Sequence, residues 1–293
     1  MENKLDKPLV WRRMKGRLVQ NAVLQAIFFA ATIFGLIVLA LLLSRVIMQA
    51  IGWLDGDFLN SFPSRRPEEA GIKSGLVGSL WLMMIVAPVS FILGVGTAIY
   101  LEEYARKNRF TALIQTNISN LAGVPSIVFG LLGLTVFVRE LGLGRSVLAA
   151  GLTMSLLVLP VVVVAAQEAI RAVPQQLREA SYAMGATKWQ TICRVVLPAA
   201  LPGMLTGAIL AFSRAIGETA PLVVLGIPTF IAYLPGSVLD TFTAMPLQIY
   251  NWTGRPQEEF QHVAAAGIIV LLVFLILMNS VAVLIRNKFQ KRF

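Results

Sequence analysis

Six apolar stretches of spanning length, at about residues 22–50, 75–101, 112–138, 146–170, 199–225 and 262–285, leave this chain little choice of solvent. A helix crosses a bilayer with about 20 mostly apolar residues, and each block supplies them. Lipid cannot hydrogen-bond a free backbone, so long continuous apolar blocks read as helices. A membrane barrel would show short alternating segments instead. Composition agrees: 57% of the 293 residues are hydrophobic and 14% are charged, against about a quarter charged in soluble domains. The expectation is an all-α membrane protein with six transmembrane helices. The first block follows a basic segment, residues 1–21. It runs on from Ala22 without a small-residue cleavage site, which marks a spanning helix and not a signal peptide.

The formal charge of +10 raises the question of nucleic acid. The basic residues lie between apolar blocks and form no stripe or DNA-binding signature, so no nucleic-acid partner is expected. They divide unevenly between the two sides. One side carries Lys4, Lys7, Arg12, Arg13, Lys15 and Arg17, then Arg106, Lys107 and Arg109. The same side carries Arg171, Arg178, Lys188 and Arg194 in the 171–198 loop, and Arg286, Lys288, Lys291 and Arg292 in the 286–293 tail. The other side carries Arg45, Arg65, Arg66, Lys73, Arg139, Arg145 and Arg255. Positive loops stay inside, so both termini are expected in the cytoplasm. The loops 51–74 and 226–261 are then expected outside. The aromatics of the second, among them Phe230, Tyr233, Tyr250 and Trp252, read first as interface anchors, with docking of an external partner as the alternative.

The fifth block holds the most informative stretch. Gly203, Gly207 and Ala211 recur every four residues and make a small-residue face that lets another helix approach closely. Arg214 and Glu218 continue that stripe, so they are expected on or beside the packed face, pointing away from lipid, as a buried pair. An ionised group in hydrocarbon costs from a few to over ten kcal/mol. An apolar pair would lock the helices more cheaply, so a charge kept here points to a polar pathway. A guanidinium fork matches a tetrahedral oxyanion. Gly217 and Pro221 beside the pair, with Pro88, Pro125 and Pro160 in the other blocks, mark places where a spanning helix can bend.

The 171–198 loop reads as helix, tight turn, helix. Pro174 suits a first turn, and Leu177, Ala180 and Met184 share a face. Gly185 suits the position past a helix end, and Thr187 with Gln190 fits a capping box. Trp189, Ile192, Cys193 and Val196 form the apolar side of the second helix. The hairpin either rests on lipid or docks into a cytoplasmic partner. No catalytic set is visible. His262 is the single histidine and reads as a solvated or capping residue at a helix edge, and with Cys193 it makes no usual metal site. A Gly-rich, Lys-Ser/Thr phosphate loop is also missing, so no bound cofactor is expected.

Glu179-Ala180-Ser181, three residues, Gly185, nine residues, then Val195-Val196-Leu197-Pro198 resembles the signature loop of ABC importer permeases. Ser181 replaces an alanine and Val195 an isoleucine. The resemblance implies a type I, MetI-like permease bundle. In that family this loop is a coupling helix that docks into an ATPase subunit, which singles out Glu179, Ala180 and Gly185. Ser213-Arg214-Ala-Ile-Gly217-Glu218-Thr219-Ala220-Pro221-Leu222 and Ala122-Gly123-Val-Pro125-Ser126-Ile-Val-Phe-Gly130 resemble the phosphate importer permeases. The Ala-Pro pair resembles PstA subunits more than PstC ones. The resemblance implies a substrate pathway through Arg214, Glu218 and Thr219, in a multi-pass protein of the bacterial plasma membrane surrounded by lipid. It implies a PstC-like sister permease, two PstB-like ATPase subunits carrying ATP and Mg, and a PstS-like phosphate-binding protein outside. A permease for sulfate or molybdate and a secondary carrier remain the alternatives.

Overall fold

A computed structural model describes residues 7–106 and 108–289, without the side chains of residues 7–13, 15, 16 and 289. Lys4, Lys107, Lys291 and Arg292, which entered the charge argument, lie outside the described residues.

In chain order the helices are α1 Lys7–Ala50, α2 Gly56–Asn60, α3 Lys73–Ile99, α4 Arg109–Leu121, α5 Ser126–Gly133 and α6 Val147–Arg171. They continue with α7 Gln175–Ala183, α8 Lys188–Thr191, α9 Leu197–Gly217, α10 Ala220–Leu225, α11 Met245–Thr253 and α12 Glu259–Phe289. Three π turns extend them: Tyr100–Tyr104 after α3, Leu134–Glu140 after α5 and Ile192–Val196 before α9. The bundle has one end bearing α2 and α11 and an opposite end bearing α7 and α8.

Among the described residues, five spans are long and apolar enough to cross a membrane: Arg17–Ala50, Lys73–Tyr104, Val147–Arg171, Lys188–Gly217 and Glu259–Lys288. The expected span at 112–138 is not one helix. It is broken into Arg109–Leu121 and Ser126–Glu140, which meet at 103°. Two causes are local. Pro125 lacks an N–H and disfavours helical geometry at Val124. The first half of the block also carries Gln115, Asn117 and Asn120, and α4 buries no residue fully. The expected span at 199–225 breaks too, between α9 and α10. Pro88 and Pro160, by contrast, sit inside the continuous helices α3 and α6.

In lipid, apolar burial brings no hydrophobic gain, so helices hold together by close van der Waals approach. The glycines show where that approach occurs. A Cβ on Gly151 of α6 would stand 2.7 Å from Ile85 of α3, and one on Gly94 of α3 would stand 2.7 Å from Val162 of α6. A Cβ on Gly207 of α9 would collide with Ala165 of α6, and one on Gly203 would stand 2.9 Å from Ala169. Thus α6 is the central rod, with fifteen buried residues along its length, and α3 and α9 flank it.

The α11 end is closed by a compact cap. Trp252 is fully buried against Phe58, with ring centroids 5.9 Å apart, in a cluster with Ile72 and Phe260. The expectation of an interface anchor is therefore wrong for Trp252, because α11 packs on α3 and α12 and its indole is buried against Phe58. Met245 N–H donates to Ser79 Oγ at 2.9 Å, and the carbonyl of Thr243 lies where a Cβ on Gly78 would be. The loop before α11 caps α6: Val147 N–H donates to the Asp240 carbonyl at 3.0 Å, and Leu148 N–H to that of Val238 at 2.8 Å. The Asp240 carboxylate accepts from Gly236 N–H, the Ser237 hydroxyl and Ser237 N–H, which hold it below the usual carboxylate range.

Helix α1 stands apart. No residue in the apolar window of its span is buried. It is fixed at its last turn, where Ala50 enters the cap cluster and the Gln49 carbonyl lies 2.8 Å from His262 Nδ1. The His262 ring is parallel to Trp53 at 6.0 Å. His262 is thus a capping residue for the end of α1, where carbonyls lack helical partners.

Candidate translocation site and coupling surface

Arg214 sits in the last turn of α9, and its Nε is 3.2 Å from Glu218 Oε1. The expected pair forms, but it is not buried. The Arg214 side chain is 54% exposed and that of Glu218 19%. The reason lies in which face of α9 is covered. Ala200, Met204, Ala208, Ala211 and Ala215 are the buried stripe. Leu210, Arg214 and Gly217 form the neighbouring stripe that the chain's own helices leave uncovered. An arginine inside an apolar span is costly against lipid, so this stripe requires a polar neighbour.

The helix stops at Gly217. Glu218 is extended, with φ −75° and ψ 120°, and Pro221 restarts α10 in its first turn. Proline is favoured there because its missing N–H would have no helical partner. The Glu218 carboxylate and Thr219 therefore stand at an interruption of the span, where backbone groups are not all used by the helix. α10 then packs on α5. A Cβ on Gly130 would lie 2.9 Å from Pro221 Cα and 3.0 Å from its carbonyl oxygen. The two sequence motifs, one ending at Gly130 and one at Leu222, thus meet in space, and each follows a break. The sequence offered no signal for that contact, which joins residues about 90 positions apart. It did offer one for Asn279, an amide in the last apolar block. Its Oδ1 accepts from Ser213 Oγ at 2.6 Å and ties α12 to the residue before Arg214.

The 171–198 segment folds as helix, turn, helix. Pro174 caps α7 with extended geometry, one residue earlier than a first-turn position. Gly185 has φ +81°, which glycine adopts freely. Thr187 and Gln190 form a full capping box at α8. Ile192 and Val196 are buried as expected, but Trp189 is 62% exposed and points away from the bundle. Leu177, Ala180, Met184 and Gly185 line an open groove with Gln190 and Arg194, and Met184 is 88% exposed. Glu179 also faces outward. The hairpin therefore presents an apolar, glycine-bordered surface with an acid at its edge.

An all-helical bundle of this plan, with a broken polar span and a protruding helical hairpin, defines a multi-pass transport protein of the importer-permease type. Solved structures share the fold. A bacterial ABC transporter that imports alginate matches with TM-score 0.60 at 17% identity, over 95% of this chain and 100% of that one. The MetNI methionine ABC transporter, inward facing, matches with TM-score 0.59 at 18% identity, over 74% and 95%. Residues 90–292 match the model of the binding-protein-dependent transport system inner membrane component, and the chain belongs to that family. Among its relatives, it is 37% identical to the phosphate transport system permease protein PstA 1 of Mycobacterium tuberculosis, over 96% of this chain and 93% of that protein. It is 34% identical to the probable ABC transporter permease protein YqgI of Bacillus subtilis, over 82% and 86%, and 30% identical to PstA of Yersinia pestis, over 96% and 93%. The resemblance noted in the 213–222 and 122–130 motifs thus extends along nearly the whole chain.

Proposed function

We propose that this chain is the membrane permease subunit of an ATP-driven phosphate importer, and that it forms half of the translocation pathway. The observation that carries the reading is Arg214, set with Glu218 on an uncovered stripe inside a span and beside a helix break. A guanidinium offers planar paired donors to a tetrahedral oxyanion. Glu218 holds it in place between passages, and Thr219 adds a hydroxyl at the break. The uncovered stripe fits against a PstC-like sister permease, which supplies the polar neighbour that Arg214 requires. The relatives named as phosphate permeases support phosphate as the cargo.

Both termini and the α7–α8 hairpin lie in the cytoplasm, on the side rich in Lys and Arg. The groove beside Ala180 and Gly185, with Glu179 at its edge, docks on one of two PstB-like ATPase subunits. Those subunits hold ATP and Mg. The α11 cap faces a PstS-like phosphate-binding protein outside.

The test is uptake of radiolabelled phosphate into proteoliposomes holding the full complex, with binding protein outside and ATP inside. Arg214→Gln is expected to lower uptake at least about tenfold, the loss of one charge-assisted contact, with assembly intact. Equal uptake by both versions would make the pair structural. Movement of sulfate or molybdate in place of phosphate would overturn the cargo while leaving the permease reading.

A further inference from the structure

The α7–α8 hairpin touches the membrane bundle at a specific seat, the π turn Tyr100–Tyr104 that ends α3. Arg178 of α7 points back from the hairpin into the bundle. Its Nη1 donates to the Val173 carbonyl at 2.7 Å, and its Nη2 donates to the Ile170 carbonyl at 2.9 Å and to Glu103 Oε1 at 3.2 Å. The pair is well covered, with side chains 14% and 10% exposed. The Ile170 carbonyl lies in the last turn of α6 and the Val173 carbonyl two residues past its end, beyond the helical hydrogen-bond ladder. One side chain therefore joins the hairpin to the tails of both α3 and α6. A second contact reaches the same π turn: Lys188 Nζ of α8 lies 4.8 Å from the centre of the Tyr104 ring. Within the hairpin, the Ser181 and Thr191 hydroxyls are 2.9 Å apart and hold α7 to α8. The neighbouring acid, Glu102, accepts from Gln167 of α6 at 2.9 Å and from Arg171 at 2.6 Å. This binds the α3 and α6 tails to one another.

Arg178 thus stands back to back with Glu179, which faces outward. From its seat, α3 and α6 run the length of the bundle, and α6 carries Ala165 and Ala169 against Gly207 and Gly203 of α9. The route from the hairpin to the helix bearing Arg214 is made of packed rods joined at one buried ionic joint.

We infer that Arg178 is a positioning residue that transmits hairpin movement to α3 and α6, and through α6 to the helix of the pathway. This rests on the reading of the hairpin as the ATPase-docking element. A joint meant only to hold the fold could be apolar at less cost, since a covered ion pair loses hydration. The fork geometry does what an apolar contact cannot: it fixes the direction of the hairpin against two helix tails at once. Lysine, a point charge with a single nitrogen, cannot keep all three contacts in those directions.

The test measures phosphate moved per ATP hydrolysed in the reconstituted full complex, for wild type, Arg178→Gln, Arg178→Lys and Glu103→Gln. Arg178→Gln is expected to lower that ratio at least about tenfold, the loss of a charged hydrogen-bonded joint. Glu103→Gln leaves the carbonyl contacts in place and is expected to lower it about threefold. Glu103→Gln also keeps the question answerable should Arg178→Gln fail to assemble. Arg178→Lys is expected to fall between wild type and Arg178→Gln. A merely structural role would reduce uptake and hydrolysis together at an unchanged ratio, and that result, or no change in either, overturns the inference. A wild-type complex that hydrolyses ATP without moving phosphate would instead sink the importer reading itself.

Discussion

Two pairs of helices in this bundle pack through glycine and proline, and they come out differently. α3 and α6 each contain a proline, yet both stay continuous over 27 and 25 residues. α5 and α10 are short helices of 8 and 6 residues, each opening just after a proline or with one in its first turn. The difference is position. Pro88 and Pro160 lie in the middle of helices held by neighbours on several sides, which tolerate a lost hydrogen bond. Pro125 and Pro221 each follow a glycine by a few residues, Gly123 just past the end of α4 and Gly217 at the last residue of α9, where the helix stops. One pair is a frame, and the other is two half-helices that touch at Gly130 and Pro221. The candidate pathway residues sit at the break, not in the frame.

Substitutions can test this division. The largest expected effect is Gly151→Leu, which forces bulk against Ile85 between α3 and α6. It should destabilise the protein by about 1–3 kcal/mol, the usual range for an overpacked core, read as a lower melting temperature in detergent. Gly130→Ala comes next. Its new Cβ meets the Pro221 backbone, so α5 and α10 must part by a few tenths of an ångström. The expected outcome is a loss of stability of about 1 kcal/mol, the lower end of the overpacking range, together with a clear fall in uptake. If Gly130→Ala proves as destabilising as Gly151→Leu, the half-helices are frame as well. The smallest effect concerns the cap over α6. The Asp240 carboxyl titrates below its unfolded value, so its stabilising contribution is present above the unfolded pKa and is lost as pH falls through the folded one. Asp240→Asn should lower the melting temperature slightly at neutral pH and flatten its acid-side slope, so that the two versions converge in acid.

What the sequence disclosed follows the range of the interactions. The capping box of Thr187 and Gln190 and the left-handed Gly185 were legible because each is decided within a few residues. The spanning blocks were legible because solvent sets hydropathy along the whole segment. The break at Gly123–Pro125 was foreseen only as a possible bend, since the same signal at Pro160 leaves α6 continuous. The exposure of Arg214 was not legible. The recurrence of Gly203 and Gly207 extends to Arg214 in the sequence, but in the structure the two glycines pack on α6 and Arg214 falls on the neighbouring stripe with Leu210, which remains uncovered. Arg178 read as one more positive charge in a loop, because its partners Glu103 and Ile170 come from the ends of two other helices.

The bond from Met245 to Ser79 spans 166 positions of chain, and that separation has a consequence for biosynthesis. A ribosome adds about 5–20 residues per second, so the glycine-lined top of α3 emerges roughly ten to thirty seconds before the segment that will cover it. During that interval Gly75, Gly78 and Ser79 lie bare at the membrane edge while three further spans are threaded. The nascent protein is therefore uncapped for most of its synthesis, and membrane insertion of the frame must succeed without help from its lid.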